Sequence, residues 1–185
     1  MQTKSLNLTA LTFTALALLA GCVSQQKYNA LDQEYQQLQQ QMTAETGAQQ
    51  MQITRLQNAI RVSVNSQLLF PSGGWQMSMD AQQSIAKIAA ILAPHQTTTI
   101  IVNGYTDNTP IGPVLMRQGV TSNLILSQKR ADNVAQFMIS QGVKPYLVTT
   151  RGYGDADPVA SNDTAAGRAQ NRRVELMLAD SGSQN

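Results

Sequence analysis

Apolar positions between residues 61 and 180 alternate between strand spacing and helix spacing. Val62, Val64 and Leu68-Leu69-Phe70 predict a strand, closed by the turn signal Pro71-Ser72-Gly73-Gly74. Ile85, Ile88, Ala89 and Leu92 recur at helical spacing and predict an amphipathic helix over residues 80 to 92, stopped by Pro94. The β-branched run over residues 98 to 105 predicts the central strand. Residues 111 to 121, with Gly112, Pro113 and Gly119, predict a loop. A second helix over residues 123 to 141 buries Leu124, Ala131, Val134 and Met138 and ends at Gly142. A third strand follows over residues 148 to 153, then a turn at Asp155-Ala156-Asp157-Pro158 and a short helical turn over residues 164 to 170. Val174, Leu176 and Leu178 alternate with Glu175 and Met177 as a last, half-buried strand. The order β-α-β-α-β-β predicts an α/β domain, a small mixed sheet with helices on one face, over residues 61 to 180. Residues 181 to 185 read as a flexible tail.

Ahead of the domain, residues 22 to 60 are Gln-rich and read as a helical spacer. Tyr28, Leu31, Tyr35, Leu38 and Met42 fall at alternating spacings of 3 and 4, Gly47 interrupts, and Ile53, Leu56 and Ile60 resume the seam. Two readings stand side by side: a short coiled coil, or a solvated tether that would span on the order of 50 Å if helical at 1.5 Å per residue. The seam makes residues 28 to 60 the candidate surface for a protein partner or for self-association.

Residues 1 to 21 have the parts of a secretory signal: Lys4, an apolar run over residues 11 to 20, then small residues. The run is short for a membrane span, which needs about 20 apolar residues. It ends Leu18-Leu19-Ala20-Gly21-Cys22, which resembles a bacterial lipobox. That resemblance implies that Cys22 is lipid-modified and becomes the first residue of the mature chain, a role suited to a nucleophilic thiolate. Several acyl chains then give stable membrane anchoring. Val23-Ser24 lacks the Asp that resembles an inner-membrane retention signal, so the implied address is the outer membrane, facing the periplasm.

Composition narrows the chemistry. A net charge of +2 and 13% charged residues argue against a nucleic-acid face, which needs clustered Lys and Arg. One cysteine excludes an intramolecular disulfide framework and a Cys-based zinc site, and His95 alone cannot build a His-ligated metal site. Nucleophilic catalysis needs a base in reach of Ser or Cys, and the single His95 sits beside Pro94 at a helix end. The reading is of a protein that is not an enzyme and uses no cofactor.

The remaining chemistry lies in Gly104-Tyr105-Thr106-Asp107-Asn108 and in Asn123-Leu124-Ile125-Leu126-Ser127-Gln128-Lys129-Arg130-Ala131. The first puts Asp107 just past the central strand, and the second puts Arg130 about two turns into a helix. A carboxylate and a guanidinium at one edge of a domain can clamp a zwitterion, the carboxylate taking the ammonium and the guanidinium taking the carboxylate bidentately. The alternative is a structural ion pair.

These motifs, with Leu69-Phe70-Pro71-Ser72-Gly73, Arg151-Gly152-Tyr153-Gly154 and Gly167-Arg168 leading to Asn171-Arg172-Arg173-Val174-Glu175, make residues 62 to 180 resemble the OmpA-like peptidoglycan-binding domain shared by OmpA C-termini, Pal lipoproteins and MotB. The resemblance implies that Asp107 and Arg130 bind meso-diaminopimelate of the peptidoglycan peptide stem, with Thr106, Asn108, Asn123 and Leu126 lining the pocket. It also implies that one of Arg172 and Arg173 stands near it; strand parity puts Arg172 with Val174 and Arg173 with Glu175, and leaves the choice open. Tyr105 stands where the family most often has His, losing a group that titrates near neutral pH. The segment between Asp107 and Asn123, with Met116-Arg117 in it, is longer than in compact members and lies beside the site. Trp75 in Gly74-Trp75-Gln76-Met77 is either an exposed contact residue or an indole packed under the sheet.

The expected function is an outer-membrane lipoprotein that binds peptidoglycan non-covalently and tethers membrane to wall. The alternative is a regulatory or assembly lipoprotein whose spacer or long loop captures a periplasmic partner, with wall binding secondary.

Overall fold

The computed structural model describes residues 29, 32–33, 35–40, 51–56, 59–94 and 98–180. The signal segment, Cys22, His95, the tail, and Tyr28, Leu31, Met42 and Gly47 of the seam lie outside them. Five strands, β1 (Met51–Arg55), β2 (Ala59–Asn65), β3 (Thr98–Gly104), β4 (Val148–Gly152) and β5 (Arg173–Asp180), form one sheet in the order β1-β2-β5-β3-β4. β1–β2, β2–β5 and β5–β3 pair antiparallel, and β3–β4 pair parallel across an intervening helix.

That register puts Val62, Leu176 and Val102 in one cross-strand row and Ile60, Leu178 and Ile100 in the next, all buried. The sheet is joined by helices α1 (Ser66–Leu69), α2 (Met79–Leu92), α3 (Pro113–Arg117), α4 (Asn123–Ser140) and α5 (Ala165–Asn171), with a 3-10 turn at Pro145–Leu147 before β4. Ile85, Ile88, Ala89 and Leu92 of α2 and Ala131, Val134 and Met138 of α4 pack on that apolar face, so the expected α/β mixed sheet with helices on one face is what forms. The opposite face carries Arg61, Ser63, Arg173, Glu175 and Met177. Helix α4 closes in a Schellman motif: Gly142 takes φ +100°, and the Val143 N–H donates to the Met138 carbonyl at 3.2 Å.

Five expectations need correction. Ile53, Leu56 and Ile60 do not resume a helical seam. They lie in and around a β-hairpin, closed by the Leu56 N–H donating to the Ala59 carbonyl at 2.8 Å. Pairing with β5 wins there over the weak heptad pattern, and the sheet starts at Met51, not near Arg61. Residues 35 to 40 are helical, but Leu38 is 1% exposed within this domain's own core, with Tyr35 and Ile53 packed beside it. Leu38, Ile53 and Ile60 are therefore spent on the domain itself and cannot serve a seam offered to a second chain.

The predicted strand through Leu68-Leu69-Phe70 ends at Asn65, whose side chain accepts from the Gln67 N–H at 2.8 Å and starts the single turn of α1. The predicted loop contains α3, started by Gly112 and Pro113. Leu124 is 57% exposed rather than buried, because its backbone, not its side chain, lies against Gly152 and Gly154.

That last contact fixes where α4 sits. A methyl group at Gly152 would stand 2.5 Å from Gln128 N and 2.8 Å from Leu124 O, and one at Gly104 would collide with the Ser127 carbonyl. Gly152→Ala should therefore destabilise the domain by at least about 2 kcal/mol, since backbone cannot give way as a side-chain tip can. Gly112→Ala, with nothing within 4 Å of the added carbon, should change stability by no more than about 1 kcal/mol. Urea unfolding of the two variants checks the contrast.

Candidate functional site

The parallel ends of β3 and β4 and the first turns of α4 meet at one edge of the sheet. Past Gly104, the Tyr105 N–H donates to the Arg173 carbonyl at 2.9 Å and the Thr106 N–H to the Gly154 carbonyl at 2.7 Å, which turns the chain out of the sheet. Asp107 Oδ1 accepts the Thr109 N–H at 3.0 Å, a local Asx bond. Asn123, first residue of α4, ties the turn to the helix, its Nδ2 donating to the carbonyls of Asp107 (3.2 Å) and Thr109 (3.1 Å). Ser127 accepts the Gly154 N–H at 2.8 Å and locks the β4 end against the same helix.

Asp107 and Arg130 are each 5% exposed, yet they do not neutralise each other. Arg172, at the end of α5, forms the ion pair with Asp107 Oδ2. Arg130 Nε donates to the Gly74 carbonyl at 2.9 Å, and its guanidinium carbon stands 5.3 Å from the centre of the Phe70 ring. The two terminal nitrogens of Arg130 have no hydrogen-bond partner among the described residues. The structural-pair alternative for Asp107 and Arg130 is thereby replaced by a different pairing, Asp107 with Arg172.

Asp107, Arg130 and Arg172 all line one cavity of about 720 Å³, together with Thr106, Asn123 and Leu126. Six of the eight expected ligand-binding residues are thus brought together. Asn108 is exposed and does not line the cavity. Arg173 does not line it either: its Nε pairs with Glu175 at 2.7 Å, its Nη2 donates to the Asp157 carbonyl, and its guanidinium lies 3.7 Å over the Tyr105 ring. The choice left open by strand parity falls to Arg172. The reason is that Arg172 precedes β5 and is free of its alternation.

The cavity has an apolar side that sequence reasoning did not assign. Phe70 and Pro71 form part of it, and Pro110, Ile111, Pro113, Val114 and Leu115 of the long loop form the rest. That loop is held by a small core of its own, in which Ile111, Val120 and Leu126 are buried against Trp75, Leu115 and Ile125. Trp75 is half-buried there, with Lys129 Nζ 5.2 Å from its ring centre, and so is neither bare nor under the sheet. The Phe70-Pro71-Ser72-Gly73 motif was the available signal for this wall. The Ser66 and Thr106 hydroxyls are buried without a partner among the described residues, and both residues border the cavity.

Electrostatics separate the charged groups. Burial raises the Asp107 pKa, but hydrogen bonds from Arg172 and Thr109 outweigh it and hold the carboxyl below its ordinary 3.8. Burial lowers the Arg130 pKa to about 10, helped by repulsion from Arg172 and opposed by Asp107. Burial and Glu175 raise Tyr105 to about 12, so this ring, stacked 4.9 Å from Tyr153, stays a neutral packing element. The site at neutral pH holds two cations and one anion.

The OmpA family model matches residues 69–172, more than half of the chain. The chain belongs to the OmpA family. Its first curated relative, "Probable lipoprotein YiaD" of Escherichia coli (strain K12), is 37% identical over 126 residues, which are 68% of this chain and 54% of that protein. "Peptidoglycan-binding protein ArfA" of Mycobacterium tuberculosis is 33% identical over 66% of this chain and 35% of that one. The chain spans about half or less of the length of these curated relatives. Among solved structures, the cell wall anchor of the T6SS from Pseudomonas aeruginosa superposes with a TM-score of 0.68 at 29% identity, over 75% of this chain and 94% of that one.

Because the folded Asp107 pKa is depressed, its contribution to stability is whole above the unfolded value near 3.8 and is lost as pH falls through the folded value. Wild type should lose stability below about pH 4 more steeply than Asp107→Asn, and urea midpoints measured across that range check it.

Proposed function

We propose that this OmpA-family domain binds peptidoglycan by clamping the free end of diaminopimelate in the peptide stem. The carrying observation is one cavity in which a buried carboxylate and a buried guanidinium with two unpartnered terminal nitrogens face the same space. The far carbon of diaminopimelate bears an ammonium and a carboxylate. Asp107 takes the ammonium, and Arg130 takes the carboxylate through its terminal fork. Discrimination follows from the cost of leaving either buried charge unpaired when a wrong residue enters. The role is recognition, not catalysis. The names of ArfA as a peptidoglycan-binding protein and of the Pseudomonas aeruginosa structure as a cell wall anchor support this reading.

The same proposal gives Cys22 the lipid anchor and the outer membrane the address, supported by the lipobox-like Leu18-Leu19-Ala20-Gly21-Cys22 and by the lipoprotein name of YiaD. The chain then tethers outer membrane to wall. A second reading, in which the domain holds a protein assembly to the wall, is favoured by Val114 and Met116, which are 60% and 50% exposed on α3 beside the cavity.

In sedimentation of the detergent-solubilised chain with diaminopimelate-type peptidoglycan, Asp107→Ala or Arg130→Ala should weaken binding by about a hundredfold or more. Wild-type sedimentation by both folded variants would sink the assignment. For the anchor, Cys22→Ala should abolish incorporation of labelled palmitate in cells and move the protein from the membrane fraction to the soluble one. Unchanged labelling would remove Cys22 from that role.

A further inference from the structure

We infer that the cavity contains a second anion position, at Arg172, and that its occupant is the C-terminal carboxylate of the stem peptide. This rests on the diaminopimelate reading above and adds a third point of recognition to it.

Arg130, Arg172 and Asp107 line one cavity, two guanidinium groups against one carboxylate. An ammonium–carboxylate end adds one charge of each sign and leaves one guanidinium, that of the partly buried Arg172, uncompensated in the cavity. Buried charge without a partner is unfavourable, so a ligand that fits this site carries one more negative charge than positive. The repulsion that Arg172 exerts on Arg130 points the same way.

The geometry identifies which arginine is available. Arg130 is fixed by its Nε bond to Gly74 and presents only its outer fork, which one carboxylate fills. Arg172 is bound to Asp107 through Nη1 alone, and its side chain is 25% exposed, so its remaining donors are open to a ligand. Asp107 spends Oδ1 on the Thr109 N–H and Oδ2 on Arg172. An arriving ammonium shares that carboxylate and weakens its hold on Arg172, and a second carboxylate restores the lost pairing.

A stem ending at diaminopimelate supplies this group on the carbon opposite the ammonium-bearing one, and a stem one residue longer supplies it on its last residue. Amide formation at the C-terminus removes it. The site therefore favours stems with a free C-terminus over stems whose terminus is consumed in a cross-link.

The test is calorimetry of the detergent-solubilised full chain with two synthetic peptides. One is a stem tripeptide ending in diaminopimelate, and the other is the same peptide amidated only at its C-terminal carboxyl. Wild type should bind the amide about tenfold more weakly, the scale of one charge-assisted hydrogen-bonded pair. Arg172→Gln should bind both peptides within about twofold of each other, and Arg172→Lys, which keeps the charge but not the fork, should discriminate at an intermediate level. Any general damage from these substitutions cancels in the ratio of the two affinities. Equal discrimination by wild type and both variants overturns the inference, as does a wild type indifferent to amidation. A wild type that binds neither peptide overturns the diaminopimelate reading itself, a separate and recognisable failure.

Discussion

The site depends on how closely one helix backbone can lie on the ends of two strands. At Gly104 and Gly152 no side chain separates β3 and β4 from α4; the contact is backbone on backbone. The approach is completed by hydrogen bonds rather than by apolar packing. Gln128 Oε1 accepts the Gly152 N–H at 2.6 Å, and its Nε2 donates to Thr150 and Asp132. Ser127 meets Gly154 one residue earlier. With its first turns held in this way, α4 has little freedom to rotate, and Arg130, one turn beyond Ser127, is delivered to a fixed place. Preorganisation of this kind lowers the cost of recognition, because the side chains that meet the ligand are ordered before it arrives.

The second constraint is that two adjacent arginines do unlike work. Arg173 is consumed by structure, held by Glu175 and laid over Tyr105, which in turn stacks on Tyr153. That assembly sits on the strand side of the site, where Tyr105 supplies flat packing rather than a titrating group. Arg172 belongs to the helix end, and its backbone carbonyl accepts the Ser66 N–H at 2.8 Å. It therefore faces the cavity with a conformation set independently of the sheet.

The sequence was most legible where one element's own periodicity decides its structure. The helices near Ile85 and Val134, the strand through Ile100 and Val102, and the final strand at Val174, Leu176 and Leu178 form as their spacing predicts. Asp107 and Arg130 were legible through the motifs Gly104-Tyr105-Thr106-Asp107-Asn108 and Ser127-Gln128-Lys129-Arg130-Ala131; residue type and place alone left a structural ion pair open. What was not legible is what depends on distant partners. Ile53 and Ile60 match a heptad as well as a strand, and only pairing to β5 decides between them. Nothing local says that Asp107 pairs with Arg172 rather than Arg130, since 65 residues separate that pair. The apolar wall at Ile111 and Leu115 was hidden for the same reason: it exists only because Leu126 and Trp75 supply a small core for the loop to close on.

This loop core bears on how the domain tells ligands apart. An unsupported insertion of this length would be mobile and would contribute mainly entropy cost on binding. Here Val120 is fully buried, and the Val120 N–H donates to the Leu115 carbonyl at 3.0 Å, so the insertion is folded back on itself. Ile111, Val114 and Leu115 line the cavity, Val114 at its exposed rim, while Met116, also exposed, does not line it. The same short helix, α3, therefore both shapes the cavity and exposes apolar surface beside it. The apolar surface that α3 shows to solvent is continuous with the rim of the cavity, so a macromolecule seated there would meet whatever occupies the space before Asp107, Arg130 and Arg172.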